Sequence, residues 1–535
     1  MKNIEIPRPE ERGRRYRFFE MIPGLLSWSI LITPVILSIV NPVLCVLIII
    51  LYLLLWFVKS AGLTIRSIQG FRVINQSMRL PWPQMLEEIQ QLRISQPSKH
   101  TPTWHYENVR RLQESKPVIR PEEVYHAIII AAYNETREVI EPTVQSILDS
   151  DYDMSKVIVV FAYEERDGAQ AEPAVQAMMS TYGKKFAKTL AIKHPLTEGE
   201  VRGKGGNITY AARQLEAYLT EAKIDPANVV VTTLDADNRP HKYYLTVLSY
   251  LYCVSPDPIK VSFQPVPMFT NNIWDVPAPM RVIATGNTFW NVVLSLRPHM
   301  IRNFSSHAQS MKALIDTDYW SVRTIVEDGH QFWRTYFRYD GQHDVYPMYI
   351  PIYQDAVLSS TLRKTVKAQF VQIRRWAWGA SDVAYVLEKG YFHPNKVPKL
   401  DLTFKMLRLL EGHISWATAP LLLAFAAFIP AFFNHDSFAS QQLPLIARQI
   451  QTVALTGIVC TLFLSLKILP PKPARYKRRR TFFMIIQWVM LPVTTIVFNS
   501  MAALNSQTRL IFGRTLNKFD VTDKAVITED KKRII

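Results

Sequence analysis

Cysteine is scarce in this 535-residue chain: Cys45, Cys253 and Cys460 stand far apart, and no CxxC spacing occurs. That excludes a disulfide scaffold and a cysteine-rich zinc site. Charge is thin as well, 20% of residues against roughly 25% in soluble domains. Acids are outnumbered, 45 Asp+Glu to 62 Lys+Arg, giving a formal charge of +17. A Walker phosphate loop is missing, because no G-x-x-x-x-G-K-[ST] spacing is present. Disorder is excluded too, since 48% hydrophobic and 11% aromatic residues supply enough apolar surface to offset chain entropy. At roughly 100–200 residues per domain, the length allows two to four units.

The charges are missing from particular places. None occurs from Met21 to Val58, a run too long for one bilayer span of about 20 residues and punctuated by Asn41-Pro42. Two spans joined by a turn are expected there. Ile414–Phe433 and Gln449–Leu466 are uncharged and of spanning length, and Thr481–Thr508 is uncharged as well. Basic residues cluster in 1–20 and in the loop from Lys467 to Arg480, whereas 434–448 carries only Asp436 and Arg448. The excess of Lys and Arg on one side of the spans puts residues 1–20, the long middle region and the 467–480 loop in the cytoplasm. The expected location is the cell (plasma or inner) membrane, with the lipid bilayer as a partner. Attraction to a lipid surface accounts for the basic charge without nucleic acid.

Thr481–Thr508 is longer than one minimal span and shorter than two. Pro492 and Asn499-Ser500 interrupt it, and the tail beyond is basic. A re-entrant or kinked hairpin returning the tail to the catalytic side is expected, with a plain third C-terminal span as the alternative. The chain thus divides into a basic N-terminus (1–20), a membrane hairpin (21–62), a connector along the membrane surface (63–120), a soluble region (121–398) and a C-terminal membrane region with its tail (399–535).

Within the soluble region, apolar strand-like runs alternate with helical ones. Tyr125–Ala132, Val157–Ala162, Thr189–Lys193, Val229–Leu234 and Val261–Val266 read as strands. Glu135–Leu148, Ala169–Tyr182 and Asn207–Ala222 read as helices. Continuous apolar strands alternating with helices predict an α/β fold with a mostly parallel sheet covered on both faces. Ligands of such sheets sit beyond the carboxyl ends of the strands.

The residues at those ends are Tyr133-Asn134-Glu135, Tyr163-Glu164-Glu165-Arg166-Asp167 and Asp235-Ala236-Asp237-Asn238, with Arg202-Gly203-Lys204-Gly205-Gly206-Asn207 near them in sequence. Carboxylates at i and i+2 can hold one hard divalent cation while leaving coordination positions for phosphate oxygens and water. A lysine adds positive charge from the other side, an arrangement for a nucleoside-diphosphate substrate. Further on, Glu327-Asp328 follows the apolar Trp320–Val326. It reads equally well as a catalytic pair or as acids at the positive end of a helix. Gln372-Ile373-Arg374-Arg375-Trp376 can bind phosphate and stack on a sugar, or sit as a basic-aromatic helix at the membrane boundary.

Taken together, these motifs resemble the membrane-embedded family-2 glycosyltransferases of the cellulose, chitin and hyaluronan synthase kind, over about Tyr125 to Gly390 and the flanking membrane helices. Asp235-Ala236-Asp237 is similar to that family's DxD, Glu327-Asp328 to its ED pair, and Gln372, Arg375 and Trp376 to its Q-x-x-R-W. Lys204-Gly205-Gly206-Asn207 resembles its K-x-G-N segment. The sequence departs from the pattern at Glu164-Glu165, where aspartate is usual, and in having no threonine before Glu327. Gln264-Pro265-Val266-Pro267 also differs from the best-known cellulose synthase segment. The resemblance implies a glycosyltransferase A-type (Rossmann-like) catalytic domain between transmembrane helices. It also implies inverting transfer from a nucleotide sugar to a growing polysaccharide.

On that resemblance Asp328, within the pair Glu327-Asp328, is the expected base. Asp237, assisted by Asp235, would hold Mg²⁺ or Mn²⁺. Tyr133, Glu135, Lys204, Asn207, Asp235, Arg375 and one of Glu164 and Glu165 would contact the donor. Gln372 and Trp376 would contact a glycan or lipid-linked acceptor, and accessory envelope subunits are admissible partners. Two alternatives stay open at this stage: transfer of one sugar to a lipid or lipid-phosphate, and a non-enzymatic membrane scaffold or transporter. Against transport, no carboxylate interrupts the apolar runs.

Overall fold

The computed structural model describes residues 4–94, 101–115, 119–165, 171–195 and 197–516. Its centre is an eight-stranded sheet of order β3-β2-β1-β4-β7-β6-β8-β5. The strands are β1 Tyr125–Ala132, β2 Val157–Glu164, β3 Lys188–His194, β4 Val229–Asp235, β5 Arg239–Pro240, β6 Val261–Phe269, β7 Ala308–Ser310 and β8 Asp344–Gln354. Pairings among the first four are parallel, as is β6 with β8. β7 runs antiparallel to both β4 and β6, and β5 antiparallel to β8. This is the mostly parallel α/β fold that the alternating runs predict.

Both faces of the sheet are covered, so the strands need no polar alternation. Every residue of β2 is buried. Ile128, Ile130, Val157, Val159 and Phe161 face the Arg137–Leu148, Ala171–Tyr182 and Tyr244–Val254 helices. Ala127, Ile129, Ile158 and Val160 face the Lys204–Glu221 and Met311–Asp316 helices. The β5, β7 and β8 elements escape the sequence reading: two are very short, and β8 carries Pro347 and Pro351, which are rare inside strands.

The connector differs from expectation. The Pro42–Ser77 helix carries the chain beyond the apolar run to the domain, where Gly70 lies so close to Val292 that an added Cβ would come within 2.4 Å. The Trp82–Gln91 and Thr103–Ser115 helices then join the core through Trp82, Met85, Ile89, Val109 and Leu112 rather than skirting the bilayer. The reason is their helical spacing of apolar residues, which makes a face that must be buried. His105, fully enclosed, is held between Tyr250 Oη at 2.9 Å and Glu88 Oε2 at 2.8 Å.

Five helices are long and apolar enough to cross a membrane: Arg14–Val40, Pro42–Ser77, Lys399–Phe433, Phe438–Ile468 and Arg479–Ile511. The first pair turns at Asn41, whose side chain accepts from the Leu44 amide, as the Asn-Pro signal predicts. Asn434, at the turn of the second pair, donates to the Ser38 carbonyl, so both turns meet at one end of the bundle.

The fifth helix behaves differently. Near its start Arg480 donates to the Trp274 carbonyl, and near its end Ser506 donates to the Arg374 carbonyl, both in the soluble domain's own segments. Arg17 reaches the Leu510 carbonyl from the basic N-terminus. The expected hairpin is absent. The helical path is continuous, with a 3₁₀ turn at Gln487–Met490 and a π turn at Thr495–Ser500 absorbing the Pro492 and Asn499 irregularities. With both ends on the same domain, the two ends are expected on one face of a bilayer. A cysteine at position 514, in a background with Cys460 replaced by serine, is therefore expected to resist a membrane-impermeant maleimide in intact cells and to react after permeabilisation. Labelling from outside would mean a complete crossing.

Candidate active site

Three strand ends share one edge of the sheet. Register pairs Ala131 with Asp235 and Ala132 with Tyr163, so the segments after β1, β2 and β4 leave at the same level. Of the two β2 acids, Glu164 is buried and Glu165 exposed, so Glu164 is the one turned toward the domain. Arg166 and Asp167 lie outside the described residues. Glu135 folds back on its own turn, accepting from the Tyr133 amide at 2.7 Å and the Asn134 amide at 3.1 Å. Asn207 is buried and donates to the Ala162 carbonyl at 2.9 Å, tying the ends of the strands. Its amide nitrogen serves the scaffold, and its side-chain oxygen has no hydrogen-bond partner among the described residues.

Lys204 is the centre of the arrangement. It opens the Lys204–Glu221 helix, is almost completely enclosed, and places its Nζ 3.0 Å from Asp235 Oδ1 and 3.2 Å from Asp328 Oδ2. Burial alone would strip its proton, but Asp235 and Asp328 hold it firmly charged. Gly205 makes the approach possible: a Cβ there would meet the Ser321 carbonyl at 2.5 Å and Glu327 Cβ at 3.3 Å. The glycine after the lysine is thus a packing requirement of the neighbouring acidic pair.

Glu327 and Asp328 form the first turn of the Glu327–Arg338 helix, so the helix-start and acidic-site readings are both satisfied. Glu327 is buried, and burial with the adjacent Asp328 charge pushes its carboxyl up to about 8 despite Lys204 and Arg375. Near neutral pH Glu327 therefore keeps its proton. On the other side of Asp328 stands His307, fully buried, its Nδ1 3.5 Å from Asp328 Oδ1. Trp320 Nε1 donates to His307 Nε2 at 3.2 Å, and Nδ1 is 2.9 Å from the Phe304 carbonyl, so the Nδ1–H tautomer is fixed. Burial keeps this imidazole below its ordinary pKa.

The DxD side chains are held as firmly. Ser305 Oγ donates to Asp235 Oδ2 at 2.7 Å, and the Asp355 amide donates to Asp237 Oδ2 at 3.2 Å. Asn271 donates to the Asp237 carbonyl. No group of three or more metal-ligating side chains occurs among the described residues. Two carboxylates fit a cation that takes its remaining positions from diphosphate oxygens and water, the usual manner of Mg²⁺.

The Leu362–Ala377 helix brings in Gln372, Arg375 and Trp376. Arg375 is near enough for its charge to act on Glu327. Trp376 leans on Phe269 at the end of β6, ring centroids 6.2 Å apart, and Gln372 accepts from Gln369. His330, two residues beyond Asp328, contacts Asp382 at 2.8 Å, joining the acidic helix to the Asp382–Tyr391 helix that follows. The structure thus gathers Lys204, Asp235, Glu327, Asp328 and Arg375, while Glu135 and Asn207 are occupied with backbone. Sequence reasoning misses Ser305, His307, Asn271 and Asp355. Ser305 and His307 precede a three-residue strand, and nothing in their spacing marks them.

No known sequence family and no curated protein matches the chain. Among solved structures, it is similar to the mannosyltransferase PcManGT from Pyrobaculum calidifontis in complex with GDP-Man and Mn²⁺. Identity is 16%, covering 83% of this chain and 99% of that one, with a TM-score of 0.41. Staphylococcus aureus TarS 1-349 in complex with UDP-GlcNAc is 12% identical over 75% and 95% of the two chains, TM-score 0.34. GalNAc-T7 with UDP, GalNAc and Mn²⁺ is 8% identical over 54% and 58%, TM-score 0.32. All three scores lie below 0.5, so the functional reading rests on the residues above.

The raised carboxyl has a consequence for stability. Between the ordinary carboxyl value of 4.5 and about 8, the folded protein keeps a proton on Glu327 that the unfolded chain releases. That contribution is complete below the lower value and is lost as pH rises through the upper one. Glu327→Gln, neutral at every pH, is expected to melt progressively higher relative to wild type as pH rises from the ordinary value of 4.5 to about 8 in detergent, and to level off above that. A constant difference in melting temperature would mean that Glu327 is ionised throughout.

Proposed function

We propose that the protein is a membrane-bound inverting glycosyltransferase, moving a sugar from a nucleoside-diphosphate donor to a growing polysaccharide. The observation that carries this reading is Lys204, shared between Asp235 of the DxD and Asp328 of the acidic pair. Residues distant in sequence, each with a separate chemical use in such a transfer, converge on one buried ammonium. The Q-x-x-R-W helix supports the polymer reading by bringing a cation and an indole to the same edge.

The chemistry follows from the residues. An acceptor hydroxyl is a weak acid, so a carboxylate must take its proton as the new C–O bond forms. Asp328 takes that role, because Glu327 beside it keeps its own proton and Lys204 holds Asp328 in place at 3.2 Å. The leaving diphosphate develops negative charge, which fixed cations offset best when they need no rearrangement. Lys204 and Arg375 supply them. Asp237 and Asp235 would hold a divalent cation, which when bound neutralises the diphosphate oxygens. Trp376 offers a flat face to the acceptor sugar. His307, its tautomer fixed by Trp320 and the Phe304 carbonyl, lies 3.5 Å from the second oxygen of Asp328 without bonding to it. The domain faces the cytoplasm, where nucleotide sugars are available.

The test is direct: purified protein in detergent with Mn²⁺, a panel of nucleotide sugars, diphosphate release, and product sizing. Wild type is expected to release diphosphate and build a product longer than one added sugar; a single added unit would favour the lipid-acceptor alternative. Asp328→Asn is expected to lose roughly 10²–10⁴ in kcat with donor affinity kept, the general scale for an acid–base group. Normal turnover in that variant would place the base elsewhere. Asp237→Ala is expected to lose metal-dependent donor binding in titration calorimetry, and an unchanged metal requirement would remove its assignment.

A further inference from the structure

Residues 4–6 are seated against the helix that carries Asp328. Ile4 and Ile6 are buried in a cluster with Phe332, Trp333, Tyr336 and Tyr385. The backbone between them is gripped from three sides: Tyr385 Oη donates to the Ile4 carbonyl at 2.6 Å, Arg323 Nη1 donates to the Ile6 carbonyl at 2.8 Å, and Arg334 adds a longer contact to Ile4. Between the isoleucines, Glu5 Oε2 accepts from Arg334 Nη1 at 2.7 Å, and its other oxygen accepts from Ser321 Oγ. Burial alone would raise the Glu5 carboxyl; Arg334 and the Ser321 hydroxyl hold it below its ordinary value.

The two partners of Glu5 bracket the acidic pair. Ser321 precedes Glu327 in the loop whose carbonyl packs on Gly205, and Val322 in that loop accepts from the Val201 amide beside the lysine segment. Arg334 follows Asp328 on the same helix and is only 1% exposed. Its other hand donates to the Thr317 carbonyl at 2.6 Å, so the guanidinium ties Glu5, the 317 turn and the Asp328 helix together. A guanidinium so enclosed is strongly destabilising without a carboxylate.

We infer that residues 4–6 act as a strap that positions the Asp328 helix, with Glu5 as a positioning residue acting through Arg334 and Ser321. The strap continues directly into the Arg14–Val40 membrane helix. Arg12 pairs with the buried Glu20 on that helix at 2.9 Å, and Arg15 makes a two-pronged contact with Glu388. The segment between the Asp328 helix and the first membrane helix is therefore pinned at one end by Glu5 on Arg334 and at the other by Arg12 on Glu20. The inference rests on the assignment of Asp328 as base; its seat in the structure does not.

The experiment uses the full-length protein in lipid nanodiscs and compares wild type, Glu5→Ala, Glu5→Gln and Asp328→Asn. A misplacement of a reacting group by about 1 Å costs on the order of 100-fold. Glu5→Ala is accordingly expected to lower kcat by about 10- to 100-fold while donor KM stays within about twofold. Hydrogen exchange is expected to rise across residues 320–334. Glu5→Gln keeps the shape and one accepting oxygen without the charge and is expected to fall between the two. A folded Glu5→Ala protein with wild-type kcat, or one in which exchange across 320–334 is unchanged, overturns the strap. If Glu5→Ala does not fold, Glu5→Gln is judged by the same criteria. Normal turnover of Asp328→Asn would instead overturn the base assignment, and the exchange result would still decide whether the strap holds this helix.

Discussion

A single buried ammonium governs the geometry of this protein. Lys204 is enclosed, so it must find negative charge, and it finds it on two segments that the chain brings together from opposite ends of the domain. Its presence sets how close the acidic helix can come, which in turn requires glycine at position 205. Burial and the adjacent Asp328 charge set the character of Glu327, which keeps a proton although Lys204 opposes it. Buried charges of this sort are costly unless fully paired, and the site resolves the cost by sharing one cation among several carboxylates.

Around that pairing, the scaffold is arranged to hold orientation. Asn207 ties strand ends, Ser305 holds Asp235, a backbone amide holds Asp237, and Trp320 selects the tautomer of His307. Each of these is a supporting contact rather than a reactive group. Their combined effect is a site whose reactive side chains have few rotamers left to sample, which is how preorganisation lowers the reorganisation required when charge develops.

How much of this is legible in sequence depends on how local the determining contacts are. The β1, β2 and β4 runs are readable because burial on both faces leaves an uninterrupted apolar signature, and their strand ends point to Asp235 and Glu164. The acidic pair and Lys204 are readable as residue types at an expected edge. The supporting residues are not, since Ser305 and His307 matter only through partners that folding brings near. The connector is misplaced for the same reason: the spacing of Trp82, Met85 and Ile89 is visible, but the surface that takes it up, on the Tyr244–Val254 helix, lies far along the chain. Glu5 and Arg334 stand 329 residues apart, beyond any periodicity.

That separation has a meaning for biosynthesis. The seat of Ile4 and Ile6 is assembled from Arg323, Arg334 and Tyr385, which leave the ribosome long after the first membrane helix has emerged. At about 5–20 residues per second, the N-terminus waits tens of seconds for its partners. Through that interval the membrane hairpin can insert and the parallel half of the sheet can form without it. The acidic helix gains its last contact only when the two ends of the domain have met. Seating of the acidic helix against residues 4–6 therefore waits until Arg334 and Tyr385 have been made, long after β1, β2 and β4.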